Sequence, residues 1–162
     1  MKRLGVGVIG VGFMGEMHAK LYSDLPNVEL VGLYDQKLAR ASEIAESLGV
    51  KAFGSLEELL AHDGIDAVSI CVSDNYHLKP TLAACKAGKH VLLEKPIATN
   101  LDDATRIVEA ASENNVRFAI GHLLRLDPRY AQLKHYVHGG GIGTPISIYT
   151  RSDPLIPDIM LQ

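Results

Sequence analysis

The chain is 162 residues long, with 16 Lys and Arg against 19 Asp and Glu and a formal net charge of −3. Hydrophobic residues make up 47% and charged residues 22%, the balance of a globular domain, or of one domain plus the start of another, that buries roughly 70% of its unfolded surface without disulfide or metal. This excludes disorder, collagen and coiled coil as overall descriptions, leaves no basic surplus for a nucleic-acid backbone, and offers no apolar run of about 18 residues to span a membrane.

In chain order, short Val- and Leu-rich runs alternate with longer stretches of helical period. Leu4–Ile9 reads as a first strand, followed by a glycine-rich turn at Gly10–Gly15. The opening run is too short and too broken by glycine for a signal peptide. Met14, Met17, His18, Leu21 and Leu25 recur at helical spacing, and Pro26-Asn27 ends that helix. Val28–Tyr34 is a second strand. Ala41, Ile44, Ala45 and Leu48 mark the next helix, with Gly49 where a left-handed cap belongs. After a short strand at Lys51–Phe53, Ser55-Leu56-Glu57-Glu58 forms a capping box. Ala67–Val72 is continuously apolar, as in a strand buried on both faces.

A helix then runs from Leu78 to Ala87 and stops at Gly88, with Pro80 confined to its first turn. His90–Leu93 is a fifth strand. Thr99-Asn100-Leu101-Asp102-Asp103 caps a long helix carrying Ile107 and Ala111, its aspartates suiting the positive end of the dipole. Arg117–Gly121 is a sixth strand and Pro128–Val137 a further helix. Six strands alternating with helices predict an α/β, Rossmann-type doubly wound parallel sheet. The cofactor domain is expected over residues 1–122. Residues 123–162 are expected to hold a linking helix, then a strand at Pro145–Arg151 that opens a second α+β domain. Cys71 and Cys85 lie in apolar segments at a spacing that fits no metal site, so they read as buried thiols of a reducing compartment, the cytoplasm.

Polar segments follow the strand ends. Gly10-Val11-Gly12-Phe13-Met14-Gly15 lies between a strand and a helix, the setting in which G-x-G-x-x-G binds a pyrophosphate. Gly10 serves the tight turn, Gly12 the approach of phosphate, and Gly15 close helix–strand contact. Phe13 and Met14, in the first helical turn, join the expected cofactor contacts. The alternative is a turn with space-saving glycines alone. Asp35, at the end of the second strand, stands where a carboxylate receives ribose hydroxyls and repels a 2′-phosphate, which favours NAD over NADP. The nearby cations Lys37 and Arg40 weaken that exclusion, and Arg40 counts as a cofactor contact. Asp35 can equally cap the next helix.

Val72 and Ser73-Asp74-Asn75-Tyr76-His77 follow the fourth strand, and Val72, Ser73, Asn75 and His77 are expected on the cofactor side. For Ser73 and Asn75 the alternative is helix capping. Glu94-Lys95-Pro96 follows the fifth strand, where two ionisable groups at a buried strand end need pairing or use. Lys95 can polarise a substrate hydroxyl, Glu94 is expected beside the cofactor, and Pro96 is a candidate for a cis bond. His122 and Arg125, after the sixth strand, are candidate substrate contacts. His18 reads as an interior histidine with one hydrogen bond. His62, His90, His135 and His138 show no metal-ligand spacing, so no metal is expected. In an open α/β sheet the carboxyl ends of the strands share one edge, so these segments are predicted to face one cofactor-sized site.

These residues resemble the glucose–fructose oxidoreductase / inositol dehydrogenase / MocA family. The likeness rests on Val8-Ile9-Gly10-Val11-Gly12-Phe13-Met14-Gly15 with His18, on Leu93-Glu94-Lys95-Pro96-Ile97-Ala98, and on Gly121-His122 with Arg125, Asp127-Pro128 and Tyr130. It implies a dehydrogenase using NAD, with NADP possible, on a sugar, cyclitol or nucleotide-sugar hydroxyl, with Lys95 at the reacting centre. Members run about twice this length. Their second domain supplies an Asp-x-x-x-His segment, whose His acts as general base, and the homo-oligomer interface. The chain is therefore expected to bind dinucleotide but to turn over substrate poorly. The competing expectations are a non-catalytic dinucleotide-sensing module and an enzyme of the biliverdin reductase or dihydrodiol dehydrogenase kind.

Overall fold

Each apolar run that begins beside a turn residue and ends at a glycine or proline becomes one element. The computed structural model describes residues 3–149. The strands are β1 (Leu4–Ile9), β2 (Val28–Tyr34), β3 (Lys51–Ala52), β4 (Ala67–Ile70), β5 (His90–Leu93) and β6 (Phe118–Ile120). The helices are α1 (Phe13–Asp24), α2 (Leu38–Leu48), α3 (Leu56–Leu60), α4 (Leu78–Lys86), α5 (Leu101–Glu113) and α6 (Pro128–His138), with single 3-10 turns at Asp74–Tyr76 and Leu123–Arg125. The strand order is β3-β2-β1-β4-β5-β6, and every pairing is parallel. The order reverses between β1 and β4, so the switch-point crevice opens beyond the ends of these two strands.

Alternation along β1 divides the core. Val8 joins Leu30, Leu33, Ala41 and Ile44 under α1 and α2. Ile9 joins Val68, Ile70, Val91 and Leu93 on the other face, beneath Leu59 of α3, Ala84 of α4 and Ile107 of α5. This is the doubly wound sheet expected from the alternating pattern, with helices on both faces.

Local chemistry sets the helix ends. Gly49 (φ 66°) and Gly88 (φ 69°) take left-handed backbone where α2 and α4 stop. Asn100 Oδ1 accepts from the Asp103 amide at 2.8 Å to start α5. Ser55 Oγ accepts from the Glu58 amide at 3.1 Å, but the Glu58 carboxylate accepts from Gly54 N–H at 3.1 Å. The capping box thus closes one residue earlier than its usual form. β4 and β6 are shorter than their apolar runs. The hydrogen bonding nevertheless continues past them, with the Cys71 amide donating to Ile9 O and the Gly121 amide to Leu93 O, both at 2.8 Å.

The chain divides into two compact units, the first ending at His122 and the second beginning at Leu123. In the second, Asp127 Oδ1 accepts from the Arg129 amide at 2.8 Å to cap α6, with Pro128 in the first turn. The strand expected from Pro145 is not formed over residues 145–149, where Ile146 and Ile148 stand 98% and 72% exposed. An alternating run needs a neighbouring strand to take up its backbone groups, and none pairs with it among the described residues. The rest of that strand, Thr150 and Arg151, and the following stretch to Gln162 lie outside the described residues.

Ile107 is fully buried between α5 and the sheet. Ile107→Ala is expected to lower unfolding free energy by about 2–5 kcal/mol through lost transfer energy and a residual cavity, read by urea denaturation. A loss below about 0.5 kcal/mol would show that α5 does not contribute to the core as described.

Candidate cofactor site

β1 enters a turn that only glycine fits at two of its three positions. Gly10 sits at φ 85°, and a Cβ there would lie 2.8 Å from both the Val72 amide nitrogen and a Val72 methyl. A Cβ on Gly15 would lie 1.8 Å from the Gly10 carbonyl oxygen, so α1 can start this close to β1 only without a side chain. Gly12 has nothing within 4 Å of its Cβ position. It is also the N-cap of α1, and no side chain caps that end. The mouth of α1 thus combines unpaired first-turn amides, the positive dipole end and an open approach. These features fit the pyrophosphate of a dinucleotide.

Asp35 braces the turn. Its Oδ2 accepts from the Val11 amide at 2.9 Å and its Oδ1 from the Lys37 amide at 2.8 Å. The carboxylate retains free lone pairs, since each oxygen can accept twice. It forms a turn with Lys37, which is itself the N-cap of α2. Arg40 is tied down. Its Nε donates to Val11 O at 3.3 Å, and its guanidinium pairs with Glu43 at 3.0 Å and closely with Glu16. Glu43 and Glu16 hold the Arg40 pKa above its ordinary value, while Lys20 and Arg40 hold the Glu16 carboxyl below its own.

Gly10, Gly12, Asp35, Val72, Ser73 and Asn75 line one cleft of about 530 Å³. Its other walls include Leu56, Leu78 and Lys79, which sequence reasoning missed. The available signal was position: Leu56 and Leu78 each open a helix beside a strand-end turn. Phe13 and Met14 stand at the helix mouth, Phe13 half exposed.

The structure places several candidates elsewhere. His77, expected to face the cofactor, is 1% exposed. Its Nδ1 lies 2.8 Å from Pro96 O and its Nε2 3.0 Å from Val72 O, so the ring spans two strand-end loops and does not reach the cleft. The ring is held there by those two carbonyl oxygens, while Thr81 Oγ1 donates to His77 O at 2.6 Å at the start of α4. Glu94, also expected beside the cofactor, is 6% exposed and points into the domain. Its Oε1 lies 3.1 Å from His18 Nε2 and its Oε2 accepts from the Lys95 amide at 3.2 Å. Lys95 is exposed, and the Lys95–Pro96 bond is cis. His122 is exposed on the same unit, and Arg125 is exposed on the second unit.

His18, read as an interior residue with one hydrogen bond, has more company. Its Nδ1 is 2.8 Å from Ser69 Oγ, which is 3.1 Å from Tyr22 OH. Cys71 Sγ approaches the same nitrogen at 3.6 Å. Burial, reinforced by the Glu94 charge, pushes the Cys71 thiol up to about 12, and burial also raises Cys85. Both cysteines are free thiols.

Comparison with known proteins follows this geometry. A family model described as "Oxidoreductase family, NAD-binding Rossmann fold" matches residues 4–122. The myo-inositol 2-dehydrogenase of Thermotoga maritima is 36% identical over 156 residues, covering 95% of this chain and 47% of that protein. The UDP-N-acetylglucosamine 3-dehydrogenase of Acidithiobacillus ferrooxidans is 35% identical over 157 residues, covering 97% of this chain and 47% of that protein. Among solved structures, GenD2 from gentamicin A biosynthesis in complex with NAD superposes with a TM-score of 0.84 at 29% identity, over 89% of this chain and 42% of that one. The chain therefore spans less than half the length of these relatives.

Gly12→Ala meets no atom and is expected to fold with an unchanged melting temperature while losing NAD affinity by roughly tenfold or more in calorimetry. Gly15→Ala is expected to destabilise the domain itself, because the added carbon collides with backbone. Equal NAD affinity in Gly12→Ala and the parent would remove the pyrophosphate from this turn.

Proposed function

Because the chain belongs to the Gfo/Idh/MocA oxidoreductase family, whose model is an NAD-binding Rossmann fold, we propose that it is the cofactor-binding half of a dehydrogenase. The substrate proposed is a sugar, cyclitol or nucleotide sugar, oxidised at a hydroxyl-bearing carbon. The observation that carries this reading is the uncapped, glycine-lined start of α1, braced by Asp35, in one cleft with Val72, Ser73 and Asn75. Two relatives named as dehydrogenases of inositol and of UDP-N-acetylglucosamine support the substrate class.

NAD, when bound, supplies the nicotinamide that accepts or returns a hydride. The residues of this chain hold that cofactor and supply one group at the reacting oxygen. The amides at the mouth of α1 hold the diphosphate. Asp35 offers its remaining lone pairs to the ribose hydroxyls, and its charge opposes a 2′-phosphate. Arg40 adds little counter-attraction because Glu16 and Glu43 already engage it. Lys95, exposed at the end of β5, polarises the reacting oxygen and steadies the charge that develops as its proton passes to a general base, which the family resemblance assigns to the second domain.

The substrate is a small molecule. No helix among the described residues is long and apolar enough to cross a membrane. The free thiols of Cys71 and Cys85 suit a reducing compartment, and the cytoplasm is the location this reading proposes. Assembly into a homo-oligomer through a second domain is part of the same reading.

Calorimetry on this chain is expected to give tighter binding of NAD than of NADP, and the reverse order would overturn the role of Asp35. In the complete enzyme, Lys95→Ala is expected to cut kcat by on the order of 100-fold or more with NAD affinity nearly intact. Undiminished turnover would remove Lys95 from the chemistry.

A further inference from the structure

Lys95 has a free side chain but not a free backbone. The residue before it, Glu94, and the residue after it, Pro96, are each met by a histidine, the largely buried His18 of α1 and the buried His77 at the N-cap of α4. On one side, Glu94 Oε1 faces His18 Nε2 of α1 at 3.1 Å, and this oxygen takes no hydrogen bond among the described residues. In the tautomer in which Ser69 donates to His18 Nδ1, the ring hydrogen sits on Nε2, the nitrogen beside the carboxylate. Glu94 Oε2 in turn accepts from the Lys95 amide. Gly121 leaves the room required: a Cβ there would lie 3.0 Å from Glu94 Oε1. On the other side, His77 Nδ1 reaches Pro96 O at 2.8 Å while Nε2 faces Val72 O at 3.0 Å. A neutral ring donates to one of these carbonyls, the doubly protonated ring to both.

We propose that His18 and His77 are positioning residues that clamp Lys95 from both sides, His18 through the Glu94 carboxylate and His77 through the Pro96 carbonyl. The inference rests on the role given to Lys95 above. Both histidines lie close to the cofactor cleft, and neither lines it. His18 lies on the helix whose first turn forms the phosphate mouth. His77 holds Val72, which lines the cleft and abuts Gly10.

Asn and Gln substitutions separate the two ring nitrogens, because an Asn amide reaches about as far as Nδ1 and a Gln amide about as far as Nε2. At position 18 the clamp uses Nε2, so His18→Gln keeps the link to Glu94 and His18→Asn loses it. At position 77 it uses Nδ1, so His77→Asn keeps the link to Pro96 and His77→Gln loses it. The expected result is an opposite order at the two positions. In this chain, His18→Asn and His77→Gln speed hydrogen exchange of the Lys95 amide by roughly tenfold or more, while His18→Gln and His77→Asn stay near the parent. NAD affinity by calorimetry stays within about twofold in all four. In the complete enzyme the first pair lose kcat by on the order of 10- to 100-fold, and the second pair recover it.

The same order of Asn and Gln at both positions would overturn the clamp, as would NAD affinity that falls in step with kcat. If neither His77 variant folds, the His18 pair decides. Undiminished turnover in Lys95→Ala overturns the assignment of Lys95 itself. That failure is distinct, because amide exchange at Lys95 does not depend on turnover.

Discussion

The structure depends on how closely α1 approaches β1. The Gly10 carbonyl lies where a Cβ on Gly15 would be, 1.8 Å away. With no side chain at 15, the helix begins directly over the end of the strand and its first amides face the crevice between β1 and β4. One added methyl would push the helix off the strand. The phosphate-binding mouth, the bracing of Val11 by Asp35 and the reach of His18 toward the loop after β5 all follow from that approach.

Much of this was legible in the sequence. β1, β2 and β5 match the expected runs residue for residue. The caps at Ser55 and Asn100 and the left-handed Gly49 follow from local chemistry, and so does the glycine-rich turn. β4 and β6 are shorter than their apolar runs because an apolar run marks burial, whereas the regular ladder ends earlier and only single amide bonds, from Cys71 to Ile9 O and from Gly121 to Leu93 O, carry on past it. Over residues 145–149 the alternating run has the pattern of a strand but no partner among the described residues, and pattern without pairing makes no sheet.

The site was legible at the level of segments more than of side chains. Every expected segment of the first unit does follow a strand end, and six of the named residues share one cleft. The direction of His77 and Glu94 was not readable. A polar residue at a strand end can turn outward to a ligand or inward to a partner, and the choice lies with residues distant in sequence. For Glu94 that partner is His18, on the first helix. For His77 the decisive groups are carbonyl oxygens, which every residue possesses and which therefore leave no trace in the sequence. Periodicity placed His18 on the inner stripe of its helix, but its company there comes from β4 and the loop after β5.

Asp35 joins two properties that an engineer would prefer to adjust separately. The carboxylate proposed to select the ribose is also the acceptor that fastens the Val11 and Lys37 amides. Charge-assisted hydrogen bonds of this kind are worth roughly 1.5–3 kcal/mol. Exchanging the acid for a residue that cannot accept, to admit a phosphorylated coenzyme, would therefore also unlatch the loop proposed to hold the diphosphate. A redesign of coenzyme choice in this scaffold needs a replacement latch, such as an Asn or Ser that still accepts from Val11, before it needs a new cation.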